Sequence, residues 1–300
     1  MQIPRDLAAV APLAAHLDRP LKVVDVGCRW GFSDVWAPLG RGVSLVGFDP
    51  DAAECERLSK LTPDGRDVRY VPVALGAVAG PSTLHLTREP ACSSLYPPDE
   101  GVIARRPMLD LATPVGTTTV MLSTLDGWAE AERCGPIDFL KLDTQGSELD
   151  ILRGGERVLR EVRALEVEVE FNPIYRGQPL FGDVDAFLRR QGFVLWRLGQ
   201  LVHYGMAGAH SAFPVPDHQA FDGRDVPYEA QGGQLTWGHA YFVRAEIADA
   251  DEVLDWRAAL RDALLLTTLR FRDLAGWALR QAARRAPDEV AEAIQATLIG

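Results

Sequence analysis

The sequence predicts a doubly wound α/β fold, with a mainly parallel sheet of seven strands covered by helices on both faces. Three observations predict it. Short apolar runs alternate with amphipathic stretches from residue 21 to about residue 198. The first run leads into a glycine loop, Asp25-Val26-Gly27-Cys28-Arg29-Trp30-Gly31. The second run ends in an acid, Asp49.

The elements follow in order. Residues 1–20 read as a short N-terminal amphipathic helix, because Arg5, Asp6, His16 and Asp18 interrupt the apolar stretch. Strands are expected at 21–26, 43–48, 68–75, 137–143 and 163–171, with further ones at 193–198 and 239–244. A last strand running antiparallel beside the edge suits such a sheet. Helical periodicity occupies 51–60, 126–133, 147–160 and 183–191. Two long stretches break the rhythm. Residues 76–125 hold two strand-like pieces, STLHLT and TTVMLSTL, around a Pro-rich loop, and residues 199–238 are rich in Gly, His, Pro and aromatics. Long loops on such a scaffold carry specificity, so 199–238 is expected to order over a second substrate. Residues 249–300 read as a C-terminal helical extension, broken near Gly276 and ended by Pro287, beside the main domain at 21–248.

Composition narrows the classes. The chain has 300 residues and a net charge of −11, a field that repels phosphate backbones and argues against a nucleic-acid partner. Its four cysteines, at 28, 55, 92 and 134, show no paired-ligand spacing. Reduced thiols in the cytoplasm are the simpler expectation, without zinc or disulfides. No apolar run is long enough for a transmembrane helix.

The loop and the acid suggest a nucleoside ligand. Gly27 allows a sharp turn and leaves room for a ligand, and Gly31 permits close approach where a helix would start. Asp49 is placed to bind two ribose hydroxyls. A nicotinamide dinucleotide usually requires G-x-G-x-x-G, because its pyrophosphate sits on a helix N-terminus. Here Cys28, Arg29 and Trp30 fill that space. S-adenosylmethionine has no pyrophosphate, tolerates bulkier loop residues and benefits from nearby acids. Asp25 is placed to help hold its amino group.

The segment IDFLKLDTQGSELDILRGGERVL at 137–159 resembles the hallmark of FkbM-type methyltransferases through Asp138, Phe139, Lys141, Asp143, Gly146, Glu148, Leu152 and Gly154. FDPD at 48–51, ALG at 74–76, SSL at 93–95 and TLDGW at 124–128 also match, and the resemblance covers about residues 21–245. It implies a class I methyltransferase (Rossmann-like) sheet and S-adenosylmethionine as cofactor, with Asp25, Gly27, Gly31, Asp49 and Ala74 at the cofactor site. It also implies O-methylation of a hydroxyl on a sugar, polysaccharide or secondary metabolite. Gln145 departs from the pattern, since many members carry Glu there.

A hydroxyl acceptor needs a general base. Asp143, at the end of a central strand, and Glu170, the last of three alternating acids Glu166, Glu168 and Glu170, rank first; His203 and His239 are further candidates. Lys141 reads as a structural ion-pair partner. Glu148 divides between capping its helix and touching substrate. The alternatives left open are a nicotinamide-dependent oxidoreductase or epimerase and a noncatalytic scaffold. The C-terminal helices, apolar on one side and carrying Arg270, Arg272, Arg280, Arg284 and Arg285, are expected to pack on the domain or pair two subunits. Weak contact with an anionic membrane surface stands second.

Overall fold

The computed structural model describes residues 5–205, 216–221, 224–229, 233–249 and 255–299. Its strands are β1 (Leu21–Val26), β2 (Val43–Phe48), β3 (Val68–Val71), β4 (Ala74–Leu75), β5 (Gly80–Thr87), β6 (Pro114–Ser123), β7 (Phe139–Leu142), β8 (Ala164–Glu170), β9 (Phe193–Tyr204), β10 (Pro216–Phe221), β11 (Arg224–Glu229) and β12 (Gln234–Arg244). Its α-helices are α1 (Arg5–Val10), α2 (Ala52–Leu61), α3 (Glu100–Arg105), α4 (Leu125–Ala131), α5 (Glu148–Arg153), α6 (Glu156–Leu159), α7 (Phe181–Arg190), α8 (Ala245–Asp249), α9 (Trp256–Thr268), α10 (Arg272–Arg285) and α11 (Asp288–Ile299).

Seven strands form one sheet in the order β3-β2-β1-β7-β8-β12-β9. The pairings from β3 to β8 are parallel, and β12 runs antiparallel between β8 and β9. Side chains alternate across a strand, so each strand feeds two cores. Val24, Val26, Phe48, Leu140, Leu142, Leu165, Val167 and Phe242 face α4 to α7. Leu21, Val23, Leu45, Phe139, Ala164, Tyr241 and Val243 face the opposite way, toward α1 and α9 to α11.

Several boundaries differ from the sequence expectation, each for a physical reason. The expected strand at 68–75 is two strands. Pro72, with no N–H for a ladder, separates β3 from β4, which leaves the main sheet and joins β5 and β6 in a sheet of order β4-β6-β5. The helix at 147–160 is broken by Gly154 and Gly155. A Cβ on Gly154 would stand 2.2 Å from the Gly76 carbonyl oxygen, so the chain must turn without a side chain there. The stretch 199–238 shrinks from both ends, because β9 runs to Tyr204 and β12 starts at Gln234; β10 and β11 pair as a hairpin inside it. The rest of the segment expected to order over a second substrate lies outside the described residues.

The C-terminal segment does not break at Gly276, which sits inside α10; it breaks at Arg270, where φ is 61°, and continues past Pro287 as α11. Its apolar residues are spent on packing. Leu260, Leu264, Leu265, Phe271, Leu274 and Leu279 share a core with Leu7, Leu13, Val23 and Leu45, which joins residues 5–20 and helices α9 to α11 to the sheet. Little of that face remains for a membrane surface. No helix among the described residues is long and apolar enough to cross a membrane.

Candidate active site

The site arises where one face of the sheet changes character. On β1 the inward sequence on the α9 side is Leu21, Val23, Asp25; on β7 it is Phe139, Lys141, then Asp143 just beyond; on β8 it is Ala164, Glu166, Glu168, Glu170. Antiparallel β12 presents Val243, Tyr241, His239 and Trp237 in the matching direction. The lower half of that face is apolar and covered by helices. The upper half, toward the C-terminal ends of the parallel strands, is ionisable and opens into a cavity of about 580 Å³. Open α/β sheets bind ligands at this end.

The glycine loop forms one end of the cavity. Gly27 N and Cys28 N both donate to the Phe48 carbonyl, at 2.9 and 3.0 Å, which ties the loop to the end of β2. Gly27 has φ 88°, and a Cβ there would lie 1.9 Å from the Asp143 carbonyl oxygen. Only glycine lets β1 turn across the end of β7. Gly27, Asp49 and Ala74 line the cavity together; Asp25 and Gly31 do not. Asp25 lies below the floor, paired with Lys141, and Gly31 packs near Leu58 and the Tyr70 hydroxyl.

Asp49 is 5% exposed. Its Oδ1 accepts from Asp51 N at 2.8 Å, while Oδ2 has no partner among the described residues. Burial raises its carboxyl above the usual range, against the Asp51 N–H and the Arg29 charge. An acid oxygen held without a partner at a cavity wall suits a ribose hydroxyl, so this end fits the nucleoside of S-adenosylmethionine. Gly27 and Ala74 beside it leave space for the rest of that molecule.

The floor carries Lys141, Asp143, Glu166, Glu168 and His239. Lys141 Nζ lies 3.4 Å from Asp25 Oδ1 and 3.2 Å from Asp143 Oδ2, the structural ion pair expected from sequence. Burial alone would lower this ammonium, but Asp25, Asp143 and Glu166 outweigh it and hold it charged. Asp25 is pushed up to about 6, chiefly by burial, with Lys141 opposing and Asp143 adding to the rise. Asp143 is also subject to burial, yet the Lys141 ammonium holds it below the usual carboxylate range. Burial and the charges of Asp143 and Glu170 keep Glu168 well above that range.

Glu170 lies outside the cavity lining, although it shares a face with Glu166 and Glu168. It is buried, and burial followed by the nearby Glu148 raises it well above its ordinary value. The sequence placed it nearest the ligand end, but its side chain is buried near Gln178 and not open to the cavity. His203 also lies outside the lining.

The turn after β7 positions the floor. Glu148 accepts from Thr144 N at 2.6 Å and Gly146 N at 3.0 Å, so it braces the turn and Ser147 makes no side-chain cap. Gln145 adopts φ 60°. Its Nε2 donates to Glu168 Oε2 at 2.7 Å, and its Oε1 accepts from the Tyr175 hydroxyl at 3.0 Å. The amide that departs from the family pattern thus meets a protonatable carboxyl without adding a charge. Opposite the floor, Leu84, Leu86 and Val120 from the small sheet form an aliphatic wall. Sequence reasoning marked those strands but not their destination; the alternation of Leu84 and Leu86 was the available signal.

Fold and cavity together define a class I methyltransferase: the strand order, the antiparallel strand β12 and a ligand cavity at the ends of β1 and β2 belong to that architecture. The chain belongs to the FkbM methyltransferase family, whose domain model matches residues 29–195, and its methyl donor is S-adenosylmethionine. This sets aside the nicotinamide alternative. No curated protein matches the chain. Among solved structures, it is similar to a magnesium protoporphyrin IX methyltransferase from Synechocystis with bound S-adenosylmethionine, at 14% identity over 80% of this chain and 77% of that one, with a TM-score of 0.35. It is also similar to a 1,6-didemethyltoxoflavin-N1-methyltransferase from Burkholderia thailandensis, at 15% identity over 80% of each chain and a TM-score of 0.32. A precorrin-6y C5,15-methyltransferase from Geobacter metallireducens shares 10% identity over 78% of this chain and 88% of that one, with a TM-score of 0.36.

Proposed function

We propose that the protein O-methylates a hydroxyl of a sugar, polysaccharide or secondary metabolite. One observation carries the reading: a single cavity joins the Asp49 end to a floor of ionisable side chains. Gly27, Asp49 and Ala74 would hold S-adenosylmethionine, which supplies an electrophilic sulfonium methyl group. A hydroxyl is a poor nucleophile and must lose its proton as it reacts, so a floor of acid and base groups suits it. The cavity walls hold the acceptor oxygen in line and exclude water, which converts an encounter into an oriented displacement. Free thiols at Cys28, Cys55, Cys92 and Cys134 support a reducing, cytoplasmic setting.

The test uses the purified chain, radiolabelled S-adenosylmethionine and a panel of methyl glycosides and hydroxylated aromatics. Label should enter a product stable to mild alkali, as an ether is and a methyl ester is not. Label found only on added amines or carboxylates would overturn the reading.

A further inference from the structure

Two carboxylates lead the candidates for general base by sequence, and neither is well placed for it. Asp143 spends its charge on Lys141 at 3.2 Å, and Glu170 does not reach the cavity. The floor offers another arrangement. His239 on β12 stands directly across the strand pair from Glu168 on β8, and the neighbouring pair is Tyr241 with Glu166. Directly paired side chains on one face of antiparallel strands lie about 5 Å apart, and diagonal ones remain within reach of a long side chain. Glu166 spans the diagonal: its Oε1 lies 2.8 Å from His239 Nδ1.

That contact decides how the imidazole stands. A neutral ring carries one N–H, and the nitrogen that faces a carboxylate keeps it. Nδ1 therefore donates to Glu166, and Nε2 retains its lone pair. The residue is 6% exposed and lines the cavity, and Nε2 has no hydrogen-bond partner among the described residues. The ring also stands 6.1 Å from that of Trp237, edge to face, which limits its rotation. We infer that His239 is the catalytic base of the reaction, with Glu166 as its positioning residue. This inference rests on the reading of a hydroxyl acceptor.

The surrounding groups agree with the assignment. Glu166 would rise through burial, but the hydrogen bond with His239 and the charge of Lys141 hold it below its ordinary value, as an anion. Burial and the neighbouring carboxylates raise Glu168 well above its ordinary value, and its Oε2 is occupied by the Gln145 amide at 2.7 Å. The acceptor oxygen bonds to the methyl carbon as the carbon–sulfur bond breaks. Its proton passes to Nε2. The positive charge of the sulfonium is thereby replaced by that of an imidazolium beside Glu166, and the sulfur leaves as a neutral thioether.

The test has two arms. Nitrogen NMR of the protein labelled in histidine reads the tautomer of His239 directly. The Nδ1–H form is expected in the wild type and should be lost in Glu166→Leu; an Nε2–H form in the wild type overturns the proposal. In the second arm, His239→Gln, whose amide can still donate to Glu166, should bind S-adenosylmethionine within about twofold of wild type. Its kcat on whichever methyl glycoside the wild type methylates should fall at least about 100-fold. Added imidazole should restore part of the rate to His239→Ala. Wild-type kcat in His239→Gln overturns the proposal. A wild-type protein that methylates amines but no hydroxyl counts against the hydroxyl reading instead, while the tautomer still decides the dyad.

Discussion

Asp49 shows what a single buried oxygen can contribute. Oδ2 has no partner among the described residues, so a ribose hydroxyl placed there would gain a charge-assisted bond without displacing a protein contact. Asp49→Ala is expected to weaken S-adenosylmethionine binding by about 1.5–3 kcal/mol, read by calorimetry. An unchanged dissociation constant in a folded variant would remove Asp49 from the cofactor site. Glu148 makes a pH prediction. Burial raises its pKa from 4.5 to about 7, against the N–H groups that it accepts from. The folded chain then binds more protons than the unfolded one between those values. Its contribution to stability is present below about 4.5 and lost as pH rises toward about 7. Glu148→Gln removes that dependence. The unfolding free energy of wild type should therefore fall by roughly 2–4 kcal/mol more than that of the variant across the window. Parallel curves would contradict the assignment. Among single residues, the place of Gly27, Asp49 and Ala74 at the cavity was legible because strand ends and loop glycines are local features. The pairing of His239 with Glu166 was not, because 73 residues separate them and only the register of β12 against β8 joins them.

At the scale of elements, the crossing of the β1 loop over β7 is the tightest demand on the chain. Gly27 and Gly65 have similar backbone conformations, with φ 88° and 84°, but a Cβ on Gly65 would meet nothing within 4 Å. Gly65→Ala is expected to lose about 1–2 kcal/mol, the strain of a left-handed residue alone. Gly27→Ala adds a backbone collision and should lose several times as much or fail to fold. Urea unfolding of both variants separates the two effects, and equal midpoints would mean that the crossing yields easily. Most strands and helices were legible from periodicity, since β1, β2, β7, β8, α2 and α7 fall within two residues of their expected positions. Two of the errors share a cause. Pro72 and the Gly154-Gly155 pair interrupt patterns that stay apolar across the break, so periodicity continues where the backbone cannot.

For the whole molecule, the two chain ends carry one of the two main cores. Removing residues 255–299 would uncover the apolar face formed by Val23, Leu45, Phe139 and Tyr241. The shortened chain should aggregate or lose cooperative unfolding, read by light scattering and thermal circular dichroism. A soluble fragment with the melting temperature of the full chain would show that those helices are an appendage. The intact protein is expected to stay in the supernatant with anionic vesicles, since the leucines that would enter lipid are already packed. The sequence by itself determined the class of fold, the glycine loop, the acid that ends the second strand and the family, because each is written in short segments whose spacing is dictated by strand and helix geometry. Only the tertiary structure decided which acids meet the cavity, which imidazole stands among them, and that the C-terminal helices belong to the core. Those outcomes depend on strand order and register, which bring together side chains that no local pattern relates, and on burial, which sets whether each carboxyl carries charge.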